Sequence, residues 1–243
     1  MIRFGGRLLL LDIEGTVAPL AFVHEILFPH ARARVDAYLA ENWPRDEVRA
    51  LLDRMARDDG ASGFSTWCPH PPVSDAAREW VGARVKAWMD ADAKLGGLKE
   101  LQGWIWEAGF VRGELRSPLF SDVPEALRTW RAAGRRLRIY SSGSAGAQRL
   151  FFRHAAAGDL SSLLEAFHDT RVGPKRSAGS YRAIVAETGL EAREILFLSD
   201  VREELDAAGE AGLATALVRR PGNPPAQAGG HAEIRSLAEV EWR

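Results

Sequence analysis

Apolar residues follow two different rhythms along this chain. Leu8-Leu9-Leu10-Leu11 is a short unbroken apolar run bounded by a turn signal, the pattern of a strand buried on both faces. Similar short runs recur near 136–141, 166–168, 194–199 and 214–218, separated by helical spacing over 123–133, 145–156, 178–188 and 203–211. From residue 17 to about 117 only the helical rhythm is present. There, 22–38 reads as a helix with Pro29 marking a break or a first turn, and 46–55 as another, with Leu51, Leu52 and Met55 inward. Ser74 is placed to cap a helix reaching about residue 89, whose apolar stripe is Trp80, Val81, Val85 and Trp88. The proline-rich stretch 60–72 reads as a loop, as does 221–230.

Strands alternating with helices predict an α/β fold, a doubly wound parallel sheet. The helical interruption predicts a cap domain inserted after the first strand. The expected division is 1–16 and 118–243 for the α/β core and 17–117 for the helical cap, with linkers near 17–20 and 113–118 that would let the cap close.

Composition narrows the class without naming a chemistry. Lys plus Arg number 32 and Asp plus Glu 33, a net charge of −1, with acids interleaved among the arginines; this argues against a nucleic-acid or membrane-surface partner. No apolar stretch approaches the ~20 residues that span a bilayer, and no amino-terminal segment has signal-peptide form, so a cytoplasmic protein is expected. The single Cys68 leaves no internal disulfide, and the six histidines show no metal-ligand spacing. A monomer is expected.

The chemistry lies where the apolar runs end. Asp12 and Glu14 follow the first strand, at the edge where ligands bind an open α/β sheet. Two neighbouring carboxylates repel, so they need a cation such as Mg²⁺ or a division of labour, one acting as nucleophile and one moving protons. A solvated acidic turn is the plainer alternative for this segment alone. Three later segments shift the balance: Ser141-Ser142-Gly143, a hydroxyl-rich turn ahead of a helix; Lys175, in a loop just before a helix; and Asp200, closing a second buried strand and followed by Glu203 and Glu204.

That order of acid pair, serine turn, lysine and acid resembles the haloacid dehalogenase superfamily of aspartyl-phosphate phosphatases. Together with LKELQGWIWEAGFVRGEL, GPK followed by SYRAI, FLSDVREE and LVRRPGN, it is similar to the enolase-phosphatase family of methionine salvage. The resemblance implies a haloacid dehalogenase-like core and Mg²⁺ held by Asp12, Glu14 (through side chain or main-chain carbonyl) and Asp200. It implies Asp12 as nucleophile, Glu14 as acid–base, Ser141 and Ser142 as phosphoryl ligands, and Lys175 neutralising the phosphoryl oxygens. Glu204 would orient Lys175 or a metal-bound water. The implied reaction converts a small phosphorylated diketone, 5-methylthio-2,3-dioxopentyl phosphate, to 1,2-dihydroxy-5-methylthiopent-1-en-3-one and phosphate, by enolisation and then dephosphorylation. For the enolisation base, Glu14, Ser142 and Lys175 remain open. Trp104, Trp106 and Phe110 could meet the methylthio end or simply pack helices, and His24 could line the cap side of the site. A general phosphomonoesterase is the alternative; most such enzymes carry Asp where Glu14 stands. A non-catalytic scaffold would be expected to lack Asp12, Lys175 or Asp200, and all three are present.

Overall fold

A computed structural model describes residues 1–242. The strands are β1 (Ile2–Phe4), β2 (Leu8–Leu11), β3 (Arg136–Tyr140), β4 (Ala166–His168), β5 (Ile195–Ser199), β6 (Ala214–Val218), β7 (Ala232–Ile234) and β8 (Val240–Trp242). The helices are α1 (Phe28–Asn42), α2 (Asp46–Asp58), α3 (Phe64–Trp67), α4 (Asp75–Asp90), α5 (Gly96–Val111), α6 (Val123–Ala132), α7 (Ala145–Arg153), α8 (Ala178–Thr188) and α9 (Arg202–Glu210).

Six strands form one sheet in the order β4-β3-β2-β5-β6-β7, every neighbour parallel. β2 is central, with Leu9 opposite Leu137 on one side and Leu196 on the other. All four of its leucines are fully buried, each burial contributing about 1.5–3 kcal/mol. From β2 the chain runs outward to β3 and β4 on one side, then crosses back to β5, β6 and β7 on the other, so the strand order reverses at β2, and its carboxyl end is where an open α/β sheet binds ligands. β1 and β8 pair in a separate two-stranded sheet.

The chain divides into two compact units, 23–115 and the remainder. The division falls after Phe22 and after Leu115, whereas the sequence placed it after residues 16 and 117. Hydrogen bonding explains the shift at the first crossing. The Val17 and Ala18 amides donate to the Ile13 carbonyl, the Phe120 amide donates to the Val17 carbonyl, and the Phe22 ring meets Phe151 edge-on at 5.9 Å. Residues 17–22 are thereby tied to the α/β unit.

The helical unit has its own core, with Leu39, Leu51, Met55, Val81, Val85, Leu101 and Ile105 buried among α1, α2, α4 and α5. Ser74 caps α4 as expected, its hydroxyl accepting from the Ala77 amide at 3.1 Å. Three details differ from expectation. Residues 22–27 form a π-helical turn, and Pro29 then sits in the first turn of α1. The 60–72 loop contains the short helix α3, whose Trp67 stacks on Trp88 at 5.5 Å and donates to Asp59. Helix α7 stops at Arg153, because Ala155 forms a bridge with Ser117 and the Ala156 amide donates to the Ser117 carbonyl. Among the described residues no helix is long and apolar enough to cross a membrane.

Candidate active site

The carboxyl end of β2 carries Asp12, 3% exposed, its amide held by the Leu198 carbonyl at 3.0 Å. The chain then turns sharply: the Gly15 amide donates to the Ala18 carbonyl, and Gly15 adopts φ +73°. A side chain at Gly15 would also overlap the Asp200 carboxylate, so both space and backbone demand glycine.

Lys175 lies between two acids, its Nζ 2.6 Å from Asp12 Oδ1 and 2.6 Å from Glu204 Oε2. Burial opposes the lysine's charge, but attraction to Asp12 and then Glu204 outweighs it, and the ammonium is held above its ordinary pKa. Its loop is fixed by three buried hydroxyls that donate to consecutive carbonyls: Tyr140 to Gly173 at 3.0 Å, Ser180 to Pro174 at 2.8 Å and Tyr181 to Lys175 at 2.7 Å. Ser199, at the end of β5, donates to Glu204 at 3.0 Å.

Glu14 is pushed above the usual carboxylate range by burial and by repulsion from Asp12, against the pull of Lys175 and Ser141. Ser141 is fully buried and its hydroxyl donates to Glu14 Oε2 at 3.0 Å. Ser142 is exposed on the same turn. Gln148, from α7, braces this turn by donating to the Gly143 carbonyl at 2.6 Å and the His168 carbonyl at 2.8 Å. Asp169 accepts from the Ala145 amide at 3.0 Å, and its carboxyl falls to about 2: burial alone would raise it, but bonds from Arg171 and the amides prevail.

Asp200 closes β5. Burial first, and then repulsion from Asp12, push its carboxyl up to about 7; the same two causes bring Glu204 to about 7. Asp200 Oδ1 is buried with no hydrogen-bond partner. An orphaned carboxylate oxygen beside a second, repelling carboxylate suits a hard divalent cation, which takes one or two carboxylates and fills its other positions with water and phosphate. Among the described residues no three His, Cys, Asp or Glu side chains gather into a cage, and the Glu14 side chain is turned to Ser141. The residues therefore fit Mg²⁺ with few protein ligands.

Sequence reasoning brought Asp12, Glu14, Ser141, Lys175, Asp200 and Glu204 to one place, and the structure joins them there. It missed Gln148, Asp169, Tyr181, Ser199 and Asn223, most of which act on main-chain groups. Trp106 and Phe110 lie on α5 in the helical unit; Trp106 Nε1 donates to the Leu27 carbonyl at 2.8 Å and Phe110 is buried. His24 is exposed in that unit, its ring 5.9 Å from Phe28.

A profile for haloacid dehalogenase-like hydrolases matches residues 7–212. The enolase-phosphatase E1 of Gluconacetobacter diazotrophicus is 47% identical over 234 residues, spanning 96% of this chain and 92% of that protein. That of Aquifex aeolicus is 40% identical over 235 residues, spanning 97% and 99%. Among solved structures, the UTR4 protein of Saccharomyces cerevisiae superposes with a TM-score of 0.79 at 31% identity, covering 96% of this chain and 98% of that one. CbbY of Rhodobacter sphaeroides, at 19% identity and a TM-score of 0.57, shares the fold. The chain belongs to the haloacid dehalogenase-like hydrolases and, within them, to the enolase-phosphatase E1 family.

Proposed function

We propose that the crevice at the end of β2 carries out the family's two-stage reaction through Asp12, Glu14, Ser141, Ser142, Lys175 and Asp200. The chain is a phosphomonoester hydrolase of methionine salvage. It converts 5-methylthio-2,3-dioxopentyl phosphate to 1,2-dihydroxy-5-methylthiopent-1-en-3-one and phosphate. The observation that carries the assignment of residues is the Lys175 ammonium 2.6 Å from Asp12 Oδ1. It sets a positive charge against the buried carboxylate that attacks phosphorus, and it meets the charge that develops on the phosphoryl oxygens.

Asp12 Oδ attacks phosphorus, the bond to the substrate oxygen breaks, and an aspartyl phosphate forms. Glu14 moves the protons. Lys175 is held as an ammonium and Ser142 is a weakly basic alcohol, so Glu14 takes the carbon proton during enolisation. Its raised pKa lets it keep that proton and deliver it to the departing oxygen. The resulting carboxylate takes a proton from the water that hydrolyses the aspartyl phosphate, and that proton goes to the enolate oxygen, so the product's two hydroxyls receive one proton from carbon and one from water. Ser141 fixes the Glu14 carboxyl through one oxygen and leaves the other for this traffic. Ser142 and the amides ahead of α7 receive the phosphoryl group.

Asp12 and Asp200, with the main-chain carbonyl of Glu14, would hold Mg²⁺; when bound it neutralises negative charge on enolate and phosphoryl oxygens. The protein acts in the cytoplasm as a monomer, a reading supported by the small number of large apolar side chains exposed among the described residues: Met1, Ile26, Val73 and Val111.

The test follows phosphate release and ultraviolet absorbance of the enol together, with the diketone phosphate and Mg²⁺. Wild type yields both signals, whereas Asp12→Asn yields the enol without phosphate. Release of phosphate from many phosphomonoesters with no enol signal would refute the enolase half.

A further inference from the structure

The loop at 219–223 grips the catalytic turn from the far side of β5. Arg220 Nε donates to the Thr16 carbonyl at 2.9 Å, and its guanidinium is anchored by both Asp122 oxygens, at 2.9 and 3.0 Å, over the Phe120 ring. Three residues later, Asn223 Nδ2 donates to the Gly15 carbonyl at 2.8 Å and to Asp200 Oδ2 at 3.1 Å. Each amide hydrogen thus has its own acceptor. The opposite amide orientation would set a carbonyl oxygen against two acceptors, so this one is fixed by chemistry.

The Asp200 carboxylate is in consequence held from two directions. Gly15 packs against it so closely that no side chain fits, and the Asn223 amide pins Oδ2. Oδ1 is left as the buried oxygen without a partner. Carboxylates that ligate metals are themselves oriented by hydrogen bonds, and losing such a partner typically costs 10–100-fold in metal affinity or activity. We propose that Asn223 is a positioning residue that sets the Asp200 carboxylate for Mg²⁺, with Oδ2 committed to the protein and Oδ1 to the cation. The inference rests on Asp200 being a Mg²⁺ ligand, as argued above.

Calorimetric titration with MgCl₂ alone tests it, on full-length wild type, Asn223→Ala and Arg219→Ala. Arg219 lies in the same loop but pairs with Glu233 on the surface. The expected result is a Kd raised about 10–100-fold in Asn223→Ala and unchanged in Arg219→Ala. The Mg²⁺ concentration for half-maximal phosphate release should rise by the same factor, with kcat recovering at saturating Mg²⁺. A merely structural role would lower kcat at every Mg²⁺ concentration and leave the Kd alone, and that result overturns the proposal. So does a Kd within twofold of wild type. If wild type itself shows no Mg²⁺ binding, the metal reading fails as well, which is a separate and distinguishable outcome. Should Asn223→Ala unfold, Asn223→Ser replaces it; the shorter hydroxyl cannot donate to both acceptors, and the same shift is expected.

Discussion

Replacing Lys175 with methionine removes a charge while keeping length and bulk, so it isolates what the ammonium does. The lysine side chain is 10% exposed, and its partners Asp12 and Glu204 are 4% and 11% exposed. Breaking a buried pair by removing one partner costs about 3–5 kcal/mol, because the other charge stays buried. With an unfolding entropy of about 2.1 cal/mol/K per residue, 243 residues give about 0.5 kcal/mol per kelvin, so Tm should fall by roughly 6–10 °C. The loss should grow with pH. Glu204 titrates at about 7 in the native protein and higher once the lysine is gone. Above pH 7 the folded variant then holds one proton more than folded wild type, while the unfolded chains are alike. Its stability must fall relative to wild type by about 1.4 kcal/mol per pH unit, or ~2 kcal/mol between pH 7 and 8.5.

The assay is urea unfolding of wild type and Lys175→Met in chelator at pH 6 and 8.5. Phosphate release is measured in parallel with Mg²⁺ and should fall by at least about 10²–10³-fold. Adding Glu204→Gln removes one of the two stranded charges and leaves Asp12. It should restore part of the stability, abolish the growth of the loss with pH, and restore none of the activity. A stability gap that is small at pH 8.5, or equal at the two pH values, would mean that Lys175 does not compensate buried charge, and the electrostatic account of the site would fail.

Three further outcomes follow from the same geometry. Arg220→Ala frees the Thr16 carbonyl and leaves Asp122 only its bonds from Ser236 and the Leu237 amide, and should cost about 1–3 kcal/mol by urea unfolding; Arg219→Ala, which breaks an exposed pair, should cost less than about 1 kcal/mol. Gly15→Ala combines a positive φ with overlap on Asp200, and should lose at least about 1–2 kcal/mol together with phosphatase activity, measured by unfolding and phosphate release. In chelator, stability should decline as pH rises from about 4 through 7, because folded Asp200 and Glu204 keep protons that the unfolded chain gives up; MgCl₂ should flatten that decline. Asp169 works in the opposite sense, since its low pKa contributes stability above about pH 4 that is lost toward pH 2.

The parts of the fold legible in the sequence were those whose burial leaves an unbroken apolar run. β2 and β5 are covered on both faces, so Leu8–Leu11 and the run ending at Ser199 announce themselves. β1, β7 and β8 are three-residue strands with a single buried position each, so they leave no apolar run like those of β2 and β5. The crossing into the helical unit was misplaced for a related reason: residues 17–22 are held by main-chain bonds to Ile13 and Phe120, and such bonds leave no mark on residue type.

The site divides along the same line. Asp12, Glu14, Lys175 and Asp200 were legible because two acids at the end of a buried strand pose an electrostatic problem that the chain must solve. The structure supplies one solution in Lys175 and leaves Asp200 Oδ1 open for a second positive charge. What was not legible is how those groups are aimed. Tyr140 and Tyr181 have the composition of core residues, yet their hydroxyls hold the lysine loop by its carbonyls. Asn223 reads as part of a proline- and glycine-rich surface loop, yet its amide holds a carbonyl 208 positions away. Ser141 has the sequence signature of a phosphate ligand, yet its hydroxyl holds Glu14. Charge is written in side-chain identity, and orientation in donors to main-chain oxygens that every residue possesses. Substitutions at Asn223, Tyr181 or Ser141 should therefore leave the charge balance intact and misalign the groups that bear it, so activity and metal affinity should fall further than stability does.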